Sequence, residues 1–367
     1  MKARLLLVGL VVLLVVVAAG AMACGDEEPA TTTAAPATTA GPATTVAPST
    51  DTTAALEPVE LSMASMHAPT APASASLERW AEKVKQDSNG LITIRHYPSS
   101  QLIPPPEMRS GIRDGVADIG NCFIYGGEPG FEVGVNLTQL VPGQDTLDGV
   151  RIFEAIWNEF PDLMESQWTD FKVLWLVPSL PTFFYLTDKV VHTMEDMKGL
   201  ELRVPSAILG DITKNLGALP ISMPMQDWIN SLDKGTTDGG TSTTGGMYDF
   251  QIADKFECTP NFSLGCSINF FIMNMDSWNR LPPEFQKVID DSLEWSRQDA
   301  IDTWVEDEKM THEYSLEKGI QFIELTDDEY ARWDEAVKPV YDKMAADMDA
   351  LGHPGTELVN FALGLAK

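Results

Sequence analysis

The chain has 367 residues, with 54 acidic and 25 basic side chains, four cysteines and a formal charge of −29. So acidic a protein repels polyanions, which argues against nucleic acid as a partner, and no CxxC or paired-cysteine spacing marks a metal site. Any anionic small molecule it holds needs a local cation that reverses the field.

At the N-terminus, Lys2 and Arg4 precede an apolar run, Leu5 to Ala23, that closes with Ala-Met-Ala before Cys24, the layout of an exported precursor. The run is long enough to serve as an uncleaved membrane anchor, but the small residues before Cys24 favour cleavage. The segment resembles a bacterial lipoprotein signal (residues 1–23) in which Cys24 becomes the acylated first residue, although Ala21 stands where such signals usually carry Leu. Loss of residues 1–23 removes Lys2 and Arg4 and no acid, moving the charge to −31. Residues 24–57 are almost all Thr, Ala, Pro, Ser and Asp, a composition with little apolar surface to bury, and are expected to form an extended tether. What remains is large enough for two lobes.

"VELSMASMH" predicts a strand over Val59 to Met66, and Leu77, Trp80, Ala81 and Val84 share a helical face that Asn89-Gly90 ends. "LITIRHYP" is the next strand, so the domain opens with a βαβ unit and a parallel pair. A short helix around Met108 and Ile112 ends at Gly115 before the strand-like "VADIG". One long helix is expected from Thr146 to Gln167, followed by the apolar strand "FKVLWLVP". The same grammar then returns: "LELRV" as strand, "AILGDITKNLG" as helix, "LPISMP" as strand, and a helix bearing Trp228, Ile229 and Leu232 that stops at Gly235. The segments "RDGVADIG" and "DKGTTDGG" close both units with Gly-x-x-Asp, and two successive α/β units indicate two lobes. Downstream lie the buried strand "CSINFFIMN", a long helix from Pro282 to Gly319, the strand "IQFIEL" and C-terminal helices. Cys258 and Cys266 leave both a disulfide and buried free thiols open.

In "LELRV" the alternation sets Leu200, Leu202 and Val204 on one face and Glu201 and Arg203 on the other. A solvent-facing Arg is the plain reading. Against it, Arg203 ends a strand that feeds a helix at Pro205-Ser206, where open α/β sheets bind ligands, and a guanidinium grips a carboxylate with two parallel hydrogen bonds.

"TMEDMKGLELRVP", "LGALPISMP", "GTTDG" and "FFIMNMDSWNRLPPEFQKVI", with "WAEKVKQDSNGLITIRHYPSSQL" and "GIRDGVADIG" upstream, together resemble the solute-binding proteins of TRAP transporters, the DctP family, over about residues 58 to 330. The resemblance implies an α/β protein of the two-lobed periplasmic-binding type II plan, with a ligand cleft between the lobes and a long helix spanning the hinge. It implies lobe 1 from 58–180 plus about 268–330, lobe 2 from 181–267, and C-terminal helices over 331–367. It further implies capture of an organic acid on Arg203 and delivery to the small and large membrane subunits of a TRAP permease, by a monomer held at the membrane through its lipid anchor. No cofactor or metal is implied.

This chain departs from the family pattern. "DGGTSTT" places Ser242, next to Thr241, where many members carry an Asn, and Met225 follows "PMP" where an aromatic is common. Phe183 falls near the second arginine of sialic-acid-type members. One anchored carboxylate with a less polar remainder is expected. His67 is equally a ligand contact or an exposed loop histidine, and Tyr125 is a cleft residue or simple packing. Asn274 is expected to be structural, and Trp228 to be core.

Enzyme chemistry finds no HExxH among the histidines and no GxSxG elbow, and "GGTSTTGG" lacks the Lys-Ser/Thr of a phosphate loop. An ABC-type or sensory solute-binding lipoprotein shares the two-lobed plan, and a lipid-tethered adhesin would use the same stalk.

Overall fold

The computed structural model describes residues 56–124, 130–141 and 143–365. The signal segment, Cys24, nearly all of the tether and Tyr125 lie outside the described residues.

Strand β1 (Val59–Ser65) leads into helix α1 (Pro72–Asp87) and strand β2 (Ile92–Tyr97), and the strands pair in parallel from Val59 opposite Ile92 to Ala64 opposite Tyr97. Pro72 starts α1 with a preset φ, and Asn89 and Gly90, both at positive φ, turn the chain back to β2. Helix α2 (Met108–Arg113) precedes β3 (Ile119–Phe123), which pairs in parallel with β1. The sequence places this strand at Val116; it begins instead at Ile119, because the turn at Gly115 leaves Val116 exposed and Asp118 accepts from the Ser62 amide and hydroxyl.

Helix α3 (Glu132–Leu140) is followed by α4 (Thr146–Glu159) and α5 (Pro161–Ser166), where a single helix is expected. Pro161 has no N–H to give and pushes Phe160 out of helical geometry (φ −123, ψ 51), so the helix restarts. The chain continues through β4 (Phe171–Pro181), β5 (Phe183–Leu186), β6 (Glu201–Val204), α6 (Ala207–Asn215), β7 (Leu219–Ser222), α7 (Met225–Lys234), β8 (Gly239–Ser242), α8 (Thr244–Asp249), β9 (Cys258–Pro260) and β10 (Cys266–Asn274). Then come α9 (Met275–Asn279), the 35-residue α10 (Pro283–Glu317), β11 (Gln321–Ile323), α11 (Asp327–Ala350) and α12 (Gly355–Leu365).

Two sheets result, with strand orders β2-β1-β3-β10-β4 and β11-β9-β5-β8-β6-β7. Both belong to one structural unit, Ala55–Lys367. The chain passes from the first sheet to the second between β4 and β5 and returns between β9 and β10. These crossovers lie side by side: the Thr182 amide donates to the Gly265 carbonyl at 3.0 Å and the Leu264 amide to the Thr182 carbonyl at 2.8 Å. Strand β11 was expected with the first lobe, but it pairs in parallel with β9, Gln321 opposite Cys258, and so belongs to the second sheet. Helix α10 packs on α1, α4 and β4 at one end and on α8 at the other.

Apolar alternation explains the layers. Phe184, Leu186, Leu202 and Val204 turn one face of the second sheet to a large core that includes Trp333, Val337 and Met344 of α11 and Leu358 of α12. Tyr185, with Trp228 of α7, Met247 and Phe256, packs on the opposite face. Leu61, Met63, Trp80, Phe271 and Trp304 fill the space between the first sheet, α1 and α10. Cys122, Cys258 and Cys266 are buried free thiols, with Cys258 and Cys266 on strands of different sheets. Among the described residues, no helix is long and apolar enough to cross a membrane.

Candidate functional site

Glu201 is exposed as the alternation requires, but Arg203 is only 6 % exposed. Strand β6 lies between β7 and β8, and α7 covers the face that Arg203 shares. Across the sheet Arg203 stands beside Ile221 on β7 and Gly240 on β8, and Gly240 stands beside Tyr185 on β5. One step further along, Ser242 is opposite Phe183. Strand alternation therefore sets Arg203, Ser242 and Phe183 on one face, at the carboxyl ends of the parallel strands β6 and β8.

The guanidinium is held from behind. Its Nε donates to the Met223 carbonyl and its Nη1 to the Thr241 carbonyl, both at 3.0 Å. The Trp228 ring lies 5.3 Å from the guanidinium carbon, and the indole N–H donates to the Gly239 carbonyl at 3.1 Å, which fixes the ring. Gly240 makes this approach possible: a Cβ there would stand 2.8 Å from the Trp228 ring and 2.9 Å from Arg203 Cβ. Nη2 makes no hydrogen bond among the described residues, and no carboxylate there pairs with Arg203. Burial lowers the guanidinium pKa to about 10, so it remains a cation at neutral pH. A buried cation with unused donors and no counter-ion is a costly arrangement that an arriving carboxylate relieves.

The other expected residues divide. Ser242 is nearly buried, and its hydroxyl makes no hydrogen bond among the described residues. Phe183 and Met225 are half-buried against the Trp228 cluster, Met225 as the first residue of α7. Thr241 stands behind Arg203: its carbonyl accepts from the guanidinium, while alternation turns its fully buried side chain to the opposite face. Asn274 donates to the Ile112 and Arg113 carbonyls and caps α9 through Ser277, a structural placement.

His67 follows β1 and is no free loop histidine. Its ring meets Phe123 and Trp304 edge-on, at 5.6 and 5.9 Å between centroids, and its Nε2 lies 3.4 Å from Asn269 Nδ2. Burial pushes its pKa down to about 4, so the imidazole is neutral at physiological pH. Asn121, Asn269 and Trp304, which complete this cluster, were not singled out in the sequence; the signal was an amide inside the apolar strand "CSINFFIMN". Trp304 of α10 is one turn before Asp307, and a Cβ on Gly245, three residues beyond Ser242, would stand 3.6 Å from the Asp307 carboxylate. Helix α10 thus connects the His67 cluster of the first lobe with the Ser242 end of the second. Among the described residues no cluster of His, Cys, Asp and Glu is arranged to hold a metal.

Two α/β lobes joined by paired crossovers define a protein of the two-lobed solute-binding class. The profile described as "Bacterial extracellular solute-binding protein, family 7" (DctP) matches residues 63–347, and the chain belongs to that family of transport binding proteins. The C4-dicarboxylate-binding periplasmic protein DctP of Rhodobacter capsulatus is 24 % identical over 304 residues, 80 % of this chain and 89 % of the relative. A marine metagenome TRAP solute binding protein specific for aromatic acid ligands, solved with 3-hydroxybenzoate, superposes with a TM-score of 0.73 at 25 % identity, covering 84 % of this chain and 98 % of the other. The TRAP solute binding protein of Rhodoferax ferrireducens, solved with benzoate, has the same fold, with a TM-score of 0.70 at 23 % identity over 84 % and 97 % of the two chains. The chain is a TRAP solute-binding protein, working outside the cytoplasm as its family does, and its family role is delivery of solute to a membrane permease rather than catalysis.

Proposed function

We propose that this protein captures an organic acid by its carboxylate on Arg203, closes its lobes about the crossovers at 181–183 and 261–265, and presents the closed form to the small and large subunits of a TRAP permease. The observation that carries this reading is the buried guanidinium, which among the described residues keeps free Nη donors and has no acid partner. Ser242, Phe183 and Met225 border the anion, with Tyr125 assigned to the cleft from the sequence pattern. Lobe 1 then comprises 58–180 and the segment from 268 through α10, and lobe 2 comprises 181–267 with β11. The protein acts as a monomer on a lipid anchor at Cys24, with residues 24–57 as tether.

A thermal-shift scan of residues 57–367 against mono- and dicarboxylates tests the binding role, because a ligand that binds only the folded state raises the melting point. A shift with an acid in the wild type, absent in Arg203→Ala, is the expected result. A shift that persists in the variant removes Arg203 from the site, and silence across the panel removes the acid. Mass spectrometry of the membrane-extracted protein, expected to show a diacylated Cys24 terminus, tests the anchor.

A further inference from the structure

Beneath His67, in the first lobe, lies a narrow cavity between the first sheet, α1 and α10. Asn121, Asn269, Trp175, Trp304, Ser76 and Thr303 line it, and no lining side chain carries a charge. It has room for about one water-sized group. The amide of Asn121 is oriented by its own bonds, since Nδ2 donates to Asn269 Oδ1 at 2.7 Å and to the Phe270 carbonyl at 2.9 Å. That leaves Oδ1 as an acceptor; it is buried and, among the described residues, makes no hydrogen bond of normal geometry, its nearest candidate donor being the neighbouring His67 ring. The cation that reaches the cavity wall is already committed: Arg79 donates to Thr303 at 2.9 Å but is gripped by both oxygens of Asp299. The neutral His67 and Phe123 rings pack against Trp304 of this lining, so the cavity adjoins an aromatic cluster.

A second carboxylate pointed here would lose its water and meet no cation, while a hydroxyl fits the space and supplies the hydrogen that Asn121 Oδ1 lacks. We propose that this cavity receives one neutral hydroxyl at the end of the ligand remote from its carboxylate, so that the ligand is a hydroxylated aromatic monocarboxylate. The inference rests on the carboxylate-binding role of Arg203, and its test separates the two.

Titration calorimetry with benzoate, 3-hydroxybenzoate and isophthalate compares hydrogen, hydroxyl and carboxylate at one ring position. In the wild type the hydroxy acid is expected to bind about tenfold or more tightly than benzoate, the value of one buried hydrogen bond, and isophthalate weakest. In Asn121→Leu the hydroxy acid and benzoate are expected to converge. Equal affinities in the wild type, tightest binding by isophthalate, or binding only of acids outside this series each overturn the cavity assignment while leaving Arg203 as anchor. Binding of the series unchanged in Arg203→Ala overturns the underlying reading instead.

Discussion

Replacing Arg203 with Ala separates what the arginine does for the ligand from what it does for the fold. Burial alone lowers the guanidinium pKa from its ordinary value to about 10, which corresponds to about 3 kcal/mol spent in holding the charge there. Against this the folded protein gains two hydrogen bonds to carbonyls and a cation–π contact, about 1 kcal/mol each. The two sides nearly cancel, so ligand-free Arg203→Ala is expected to melt within a few degrees of the wild type. Binding is different, because a carboxylate that loses its fork is left desolvated and unpaired. The expected loss is about 2 to 5 kcal/mol, roughly 30-fold to a few thousandfold in Kd. Arg203→Lys keeps the charge but not the planar pair of donors, and is expected to fall between the two. Calorimetric titration with the acid found by the thermal scan, alongside melting curves without ligand, reads both effects. Wild-type affinity in Arg203→Lys refutes the forked contact, and a large loss of stability in ligand-free Arg203→Ala refutes the cancellation.

The remaining expectations concern the groups around the site. The Tyr185 hydroxyl is fully buried with no partner among the described residues, so Tyr185→Phe is expected to leave stability unchanged or raise it by about 1 kcal/mol in urea unfolding; a clear loss shows a hidden partner. Gly240→Ala sets a methyl against both the Trp228 ring and Arg203, and is expected to cost about 1 to 3 kcal/mol of stability and to weaken acid binding together, read by melting and calorimetry. His67, whose pKa falls below its ordinary value to about 4, takes up protons in the unfolded chain first, so its contribution to stability is lost as pH falls from about 6.5 towards 4. A stability profile over that range flattens on the acid side in His67→Gln. Asp307 has the opposite sign: burial, Asp249 and Glu308 raise it to about 6, so its charge weakens the fold at neutral pH and protonation relieves this as pH falls through 6. Asp307→Asn is therefore expected to gain stability at pH 7.5 and little at pH 4.5 in the same unfolding assay.

Elements whose signals are local were legible in the sequence. The apolar run Cys266–Asn274 is β10 to the residue, and Pro283 and Gly319 bracket α10 as helix start and stop signals predict. Periodicity also read Trp228 as core, which its burial supports, but gave no sign that the same ring braces Arg203. The alternation in "LELRV" separated Arg203 from the leucines correctly, yet exposure depends on α7 and β8, which arrive later in the chain. The break at Phe160 was legible in principle, since Pro161 was in view, but the apolar pattern continued past it. Partnerships across long separations were out of reach: Asn121 meets Asn269 across 148 positions, and β11 chooses β9 over the first sheet for reasons that lie in tertiary packing.

The reciprocal hydrogen bonds between Thr182 and the Gly265 region place the entrance and exit of residues 183–264 next to each other. That is the topology of an inserted segment, one that leaves a parent sheet and rejoins it almost where it left, so residues 183–264 themselves meet the parent at two neighbouring junctions. The junctions are unforgiving at one point: Gly265 has φ +101, and a Cβ there would stand 2.3 Å from the Thr138 carbonyl. Nor is the segment self-sufficient, because β11, from far downstream, completes its sheet. A transplant of 183–264 alone would carry its arginine but leave β9 as a bare edge, so a working graft must bring residues 321–323 with it.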